Sequence, residues 1–293
     1  MRRMQLIEIE DHDWCPRAVR DGGTDWLGFL ANLTRVFDLV APRVRAAMRA
    51  TGTNRVVDLC SGGGGPWLTL ERALVAGNAP DADLSREPTR HRPIEANRAA
   101  SPRDDVIVEL TDLFPNLAAL ASLQERSGGR CRFRTEPVDA TDVPVGMDGV
   151  RTMFNCFHHF PPERARAILA DAVRKRRGIA IFEGVDRRCL PLLAMPLQAA
   201  CVFAMTPWVR PFKWSRLLFT YVIPLIPFVV YFDGTVSMLR IYSPDELREL
   251  VATVPGHGDF DWDIGTTPIP GLPLGITHLV GVPRQEGTVR PQA

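Results

Sequence analysis

Along residues 24–52, TDWLGFLANLTRVFDLVAPRVRAAMRATG, the apolar positions Trp26, Phe29, Leu30, Leu33, Val36, Phe37 and Val40 recur at steps of three and four. That spacing predicts one amphipathic helix reaching Val40, with Thr24 or Asp25 as its cap. A second helix follows Pro42, runs to about Arg49 and is stopped by Gly52. The pattern then changes to short apolar runs separated by helical ones. Strands are predicted at 55–59, 106–112, 131–139, 149–155 and 178–184, and helices at 66–76, 116–126 and 162–176. Pro66 suits a first helical turn, and Ser243 with Glu246 three residues on marks a capping box for a helix over 243–254. DFDWDIG and GITHLVGVP are two closing strands, and 284–293 is a polar tail. Strand and helix in alternation predict a doubly wound, mostly parallel α/β sheet covered on both faces.

Two stretches break this rhythm. Residues 77–105 hold six acidic and five basic residues and four prolines, with Leu84 and Ile94 as the large apolar groups. A segment so poor in apolar surface cannot offset its ordering entropy, so a disordered, exposed insertion is expected there. Cys189–Val209 and Leu217–Phe232 carry no charge over 21 and 16 residues, and Trp208, Arg210, Lys213, Trp214 and Arg216 fall on or between them. The first run has the length of a membrane span. Its prolines at 191, 196 and 207 favour instead a helical cap over a substrate mouth, while a shallow membrane contact through 189–232 stays open. Either arrangement expects a lipophilic ligand.

Composition narrows the partners. Thirty-five basic residues face 34 acidic ones, which gives no electrostatic ground for a nucleic-acid partner. The six cysteines form no CxxC pair, so reduced thiols are expected rather than a disulfide framework or a zinc site. No apolar leader segment follows Arg2 and Arg3, and a cytoplasmic chain, with or without membrane association, is the expectation.

The chemistry is concentrated at DLCSGGGGPW, residues 58–67, where the first strand meets four glycines. A phosphate-binding P-loop needs Gly-Lys-Ser/Thr, and here the chain reads Gly-Pro-Trp. A dinucleotide fingerprint needs a small residue three places after Gly64, where Trp67 stands. Aligned from its acid, the stretch resembles the first motif of class I S-adenosylmethionine-dependent methyltransferases, with Asp58, Gly62 and Gly64 on the pattern and Cys60 where that family usually has glycine. The resemblance continues with Asp112 at the end of VELTD, Asp139 and Ala140 in VDATD, and FNCFHHFPPERA, which resembles the family's His-His-x-Pro element. Asp58 and Asp112 are 54 residues apart, against roughly twenty in such folds; removing the 29-residue insertion leaves 25.

The resemblance covers about residues 24–283 apart from the insertion and 189–245. It implies a seven-stranded Rossmann-like sheet with an antiparallel last strand, and S-adenosyl-L-methionine as cofactor. It divides the chain into a helical lid (1–54), a cofactor-binding core (55–188), the apolar insertion (189–245) and the end of the sheet (246–283). Asp112 would hold the ribose, with Glu109 the weaker candidate. Asp139 and Ala140 would meet the adenine; Asp58, Cys60, Gly62, Gly64 and Asn155 would shape the cofactor site. His158 and His159 are the candidates for a base. The activity implied is methyl transfer to a lipophilic small molecule or lipid, and the competing reading is a membrane-associated protein that binds the cofactor without catalysis.

Overall fold

Val56 and Val57, neighbours in the first strand, point to opposite sides and seed two separate cores. The computed structural model describes residues 3–76, 106–184, 187 and 189–285, with the backbone alone for 189–194; the insertion expected at 77–105 and the tail from 286 lie outside them. The strands are β1 (Arg55–Asp58), β2 (Ile107–Leu110), β3 (Cys131–Phe133), β4 (Val150–Phe154), β5 (Ile179–Glu183), β6 (Phe260–Pro268) and β7 (Gly275–Pro283). They form one sheet in the order β3-β2-β1-β4-β5-β7-β6. The first five are mutually parallel, and β7 runs antiparallel to both β5 and β6. This is the seven-stranded sheet with an inverted last strand that the resemblance implies, and it differs from the dinucleotide-binding order 3-2-1-4-5-6. β3 ends earlier than predicted, because its one partner is β2 and the chain turns away towards Pro137.

On one face lie α2 (Ala41–Ala50), α3 (Trp67–Ala76) and α4 (Leu117–Arg126), packed through Val44, Leu70, Leu74 and Leu120. On the other lie α5 (Pro162–Arg174) and α9 (Pro244–Ala252), packed through Ile168, Leu169 and Leu247. Each such side chain contributes about 1.5–3 kcal/mol on burial, which makes these faces the main support of the sheet. The capping box at Ser243 and Glu246 forms as the sequence implies.

The N-terminal helix departs from the prediction. α1 spans Arg17–Thr34, and Arg35 takes a left-handed φ of 54° that ends it; a 3-10 turn, Val36–Val40, follows. Pro16 rather than Thr24 or Asp25 starts the helix, and Asp25 is buried midway along it. Gly22 and Gly23 conceal the early turns, since glycine has low helix propensity. Gly22 is there for contact: a Cβ on it would overlap Ile226 at 2.4 Å.

The apolar region 189–245 is helical. It comprises α6 (Cys189–Met205), the short α7 (Trp214–Leu217) with a π turn over Leu218–Val222, and α8 (Leu225–Arg240). A third core joins them to α1 through Val19, Trp26, Val202, Ile226 and Val230. Among the described residues no single helix is long and apolar enough to cross a membrane; Trp214–Val222 and Leu225–Arg240 together have that length and composition but meet at 79°.

Candidate active site

The parallel strands β1, β2 and β4 deliver Asp58, Asp112 and Asn155 to one end of the sheet, where ligands of open α/β folds bind. Asp58 faces inward. Its carboxylate accepts hydrogen bonds from the Ser61 and Thr152 hydroxyls, both at 2.7 Å. Burial pushes its carboxyl up to about 7 against the pull of those bonds. Asp58 therefore ties the turn to β4 rather than facing a ligand. Asp112 closes the turn from the neighbouring strand: one oxygen accepts the Gly62 N–H at 2.8 Å and the other the Phe114 N–H at 2.9 Å.

All four glycines have a role. Gly62, Gly64 and Gly65 have positive φ, and so does Cys60 at 56°, in the place where glycine is usual. Gly63 is required for contact, because a Cβ there would stand 2.6 Å from the Thr24 carbonyl oxygen. The backbone of α1 thus lies directly on the turn. Asn32 fastens it, donating to the Gly65 carbonyl at 2.8 Å and accepting the Thr69 N–H at 3.1 Å.

A cavity of about 200 Å³ lies over the turn, lined by Cys60, Gly62, Asp112, Asn155, Glu10 and Arg20 among others. A larger one of about 540 Å³ lies between α1, α6 and α8. The two share Glu10, Leu27, Ala31, Phe37, Asn155 and His159 as a common wall. Asn155, at a left-handed φ of 49°, sits at this junction and accepts the Gly184 N–H at 2.6 Å.

Phe157–His159 form one 3-10 turn that sends its two histidines to different partners. Glu183, the last residue of β5, accepts the His158 backbone N–H at 3.1 Å and bonds its Nδ1 at 2.7 Å. With the ring proton on Nδ1, the lone pair of Nε2 is left free. Nε2 is buried without a hydrogen-bond partner, 3.9 Å from a Glu8 oxygen. The Nδ1 of His159 lies 2.9 Å from Asp11 and 3.2 Å from Glu8. Burial alone would lower His159, but Glu8, Asp11 and Glu10 outweigh it and push it up to about 10. His159 is therefore a cation at neutral pH and does not suit the base role expected of it.

Arg240 completes this cluster, with Nη1 at 2.7 Å from Asp11 and 3.1 Å from Glu8 and Nη2 donating to the His159 carbonyl. Asp233 of α8 accepts the N–H groups of Ile9 and Glu10 at 2.8 and 3.0 Å. Residues 8–11 are thereby strapped across the larger cavity. Burial, reinforced by neighbouring acids, raises Glu10 to about 7 and Asp233 to about 6.

The fold thus gathers Asp58, Cys60, Gly62, Gly64, Asp112, Asn155, His158 and His159 at one end of the sheet. It does not bring Asp139 and Ala140 to either cavity. Asp139 caps its own turn, accepting the Thr141 N–H and hydroxyl at 2.8 Å and pairing with Arg164 at 3.3 Å, and Ala140 is buried under the sheet. Glu109 pairs with Arg134 at 2.6 Å. The sequence reading missed Glu8, Glu10, Asp11, Arg20, Asn32, Asp233 and Arg240. The acid run IEIED and the lone acid in FVVYFDG were the available signals.

No protein-family model and no curated protein matches the sequence. Solved structures of similar shape include an O-methyltransferase family protein from Burkholderia thailandensis, at 15% identity over 95% of this chain and 62% of that one, with a TM-score of 0.48. A protein from Rhodobacter sphaeroides named as a zinc-dependent alcohol dehydrogenase is 12% identical over 92% of this chain and all of that one, with a TM-score of 0.46. Magnesium protoporphyrin IX methyltransferase from Synechocystis, with bound SAH, is 13% identical over 86% of each chain, with a TM-score of 0.42.

Proposed function

We propose that the chain is an S-adenosylmethionine-dependent methyltransferase acting on a lipophilic small molecule or lipid. The observation that supports it best is the common wall: a cavity over a glycine turn, with Glu10, Arg20 and Asp112 on its lining, adjoins a larger one, with Asn155 and Glu10 at the join. The turn suits the cofactor because its backbone is bare of side chains from Gly62 to Gly65. Both Asp112 oxygens already accept an amide, yet each keeps a lone pair for a ribose hydroxyl. Arg20, whose guanidinium is held by the Glu10 and His12 carbonyls, would meet the amino-acid carboxylate. When bound, S-adenosylmethionine supplies an already activated methyl carbon. The protein then has to orient the acceptor, exclude water and take up a proton. The free Nε2 of His158, backed by Glu183, would take the proton, and α1 with the 8–11 strap would exclude water. Calorimetric titration of the purified chain with S-adenosylmethionine tests this: binding is expected, weakened at least tenfold by Asp112→Ala. Absence of binding heat in the intact chain would refute the cofactor assignment.

The outer face of α6–α8 extends this reading. Trp214 and Val222 are 78% and 72% exposed, beside exposed Trp208, Ile223 and Phe228. Residues 189–232 contain no acid, and of their three cations Arg210 and the partly buried Lys213 lie towards this face while Arg216 is buried. We infer that this face rests on a membrane surface, which would supply a lipophilic acceptor to the cavity beneath.

A further inference from the structure

The larger cavity contains more acid than its own cations match. Glu8 and Asp11 are met by His159 and Arg240, and Glu183 by the ring and backbone N–H of His158. Glu10 and Asp233 remain. Asp233, 3% exposed, accepts two backbone amides and has no cation against it among the described residues. The Oε2 atom of Glu10 is buried with no hydrogen-bond partner among the described residues. Arg20 does not serve it, since that guanidinium bonds the Glu10 carbonyl. Gly23 leaves the space in front: a Cβ there would already touch Oε2 at 3.4 Å. A third polar atom faces the same space, the unpartnered Nε2 of His158, a residue only 4% exposed. Arg35, which also lines the cavity, pairs with Asp38, and Leu27, Leu30, Met195, Val229, Val230 and Met238 make up much of the remaining wall.

Two buried carboxyls with no ion pair of their own among the described residues are costly, even with the His159 cation acting on Glu10 at longer range, unless something cationic joins them. A neutral acceptor would leave that imbalance in place, and an anionic one would worsen it. We propose that the cavity is the binding site for a lipophilic amine, its ammonium set against Glu10 and Asp233 and its hydrocarbon part along Leu27, Leu30 and Val229. Assigning that amine as the methyl acceptor rests on the methyltransferase reading; its binding does not.

The test is calorimetric titration of the full chain with octylammonium chloride and, separately, with 1-octanol, which share a chain length and differ in charge. Octylammonium is expected to bind at least tenfold more tightly. Glu10→Gln should abolish most of that preference. Asp233→Asn should act in the same direction, but it also loosens the strap, so the Glu10 variant decides. Equal affinity for the two probes would overturn the proposal, and so would a preference that survives Glu10→Gln. Saturation by zinc chloride that excludes octylammonium would overturn it too, in favour of a metal held by Glu8, His158 and His159, whose ligand atoms lie within 4.8 Å of one another. If octylammonium binds but S-adenosylmethionine does not, the methyltransferase reading alone fails.

Discussion

Cys60 occupies a left-handed conformation that costs an L-residue roughly 1–2 kcal/mol, and it does so in the first position of the turn that grips Asp112. A turn that tolerates such a conformation is held from several sides: Asp58 below, Asp112 beside and α1 above. Glycines at alternate positions and the acid ending β1 were readable in the sequence because they lie within ten residues of one another. Gly63 was not, since its reason is the Thr24 carbonyl of a helix that the sequence could not place against it. The histidine pair was legible as a pair, yet its division of labour depends on acids far away in the chain. His158→Ala is expected to lower turnover about a hundredfold, the usual contribution of one general base, with cofactor affinity intact. Steady-state kinetics beside calorimetry will check this, and an unchanged rate would take His158 out of the chemistry.

At the scale of elements, the sheet was easier to foresee than the helices around it. Buried parallel strands announce themselves as short apolar runs, whereas α1 hides two glycines in its second turn and α6 a proline, Pro196. What joins α1 to the region of α7 is a polar knot no local pattern reveals. Asp25 of α1 bonds Arg216, lies 2.8 Å from Lys213, and accepts from Asn116 at 3.0 Å. Arg216 is thus taken out of the basic face, which leaves Arg210 and the partly buried Lys213 among the exposed aromatics. If that face meets lipid, the chain should sediment with liposomes containing phosphatidylserine, and Trp214→Glu combined with Val222→Glu should return most of it to the supernatant. A chain that stays in solution at every lipid concentration would rule the contact out.

For the whole molecule, four buried groups set a common direction with pH. Glu10 and Asp58 titrate near 7 and Asp233 near 6 when folded, above the ordinary carboxyl value of about 4, so the folded state holds protons that the unfolded one has lost. Stability from these three is present in acid and declines as pH rises from about 4 to 7. His159, raised to about 10, contributes stability that is full below about 6.5 and lost as pH climbs to 10. Asp11, held well below the usual carboxylate range by His159 and Arg240 despite its burial, opposes them only in strong acid. Urea denaturation should therefore give a higher midpoint at pH 5.5 than at pH 9.5; a rising profile would contradict the buried cluster. The strap across the cavity has one more consequence, in the order of assembly. Glu8 and Asp11 wait for partners on α8 that lie 229 residues later. A growing chain completes its five parallel strands and the glycine turn by residue 183, well before those partners are synthesised. The glycine turn thus stands in the growing chain long before α8, and the strap that closes both cavities through Glu10 can be fastened only near the end of synthesis.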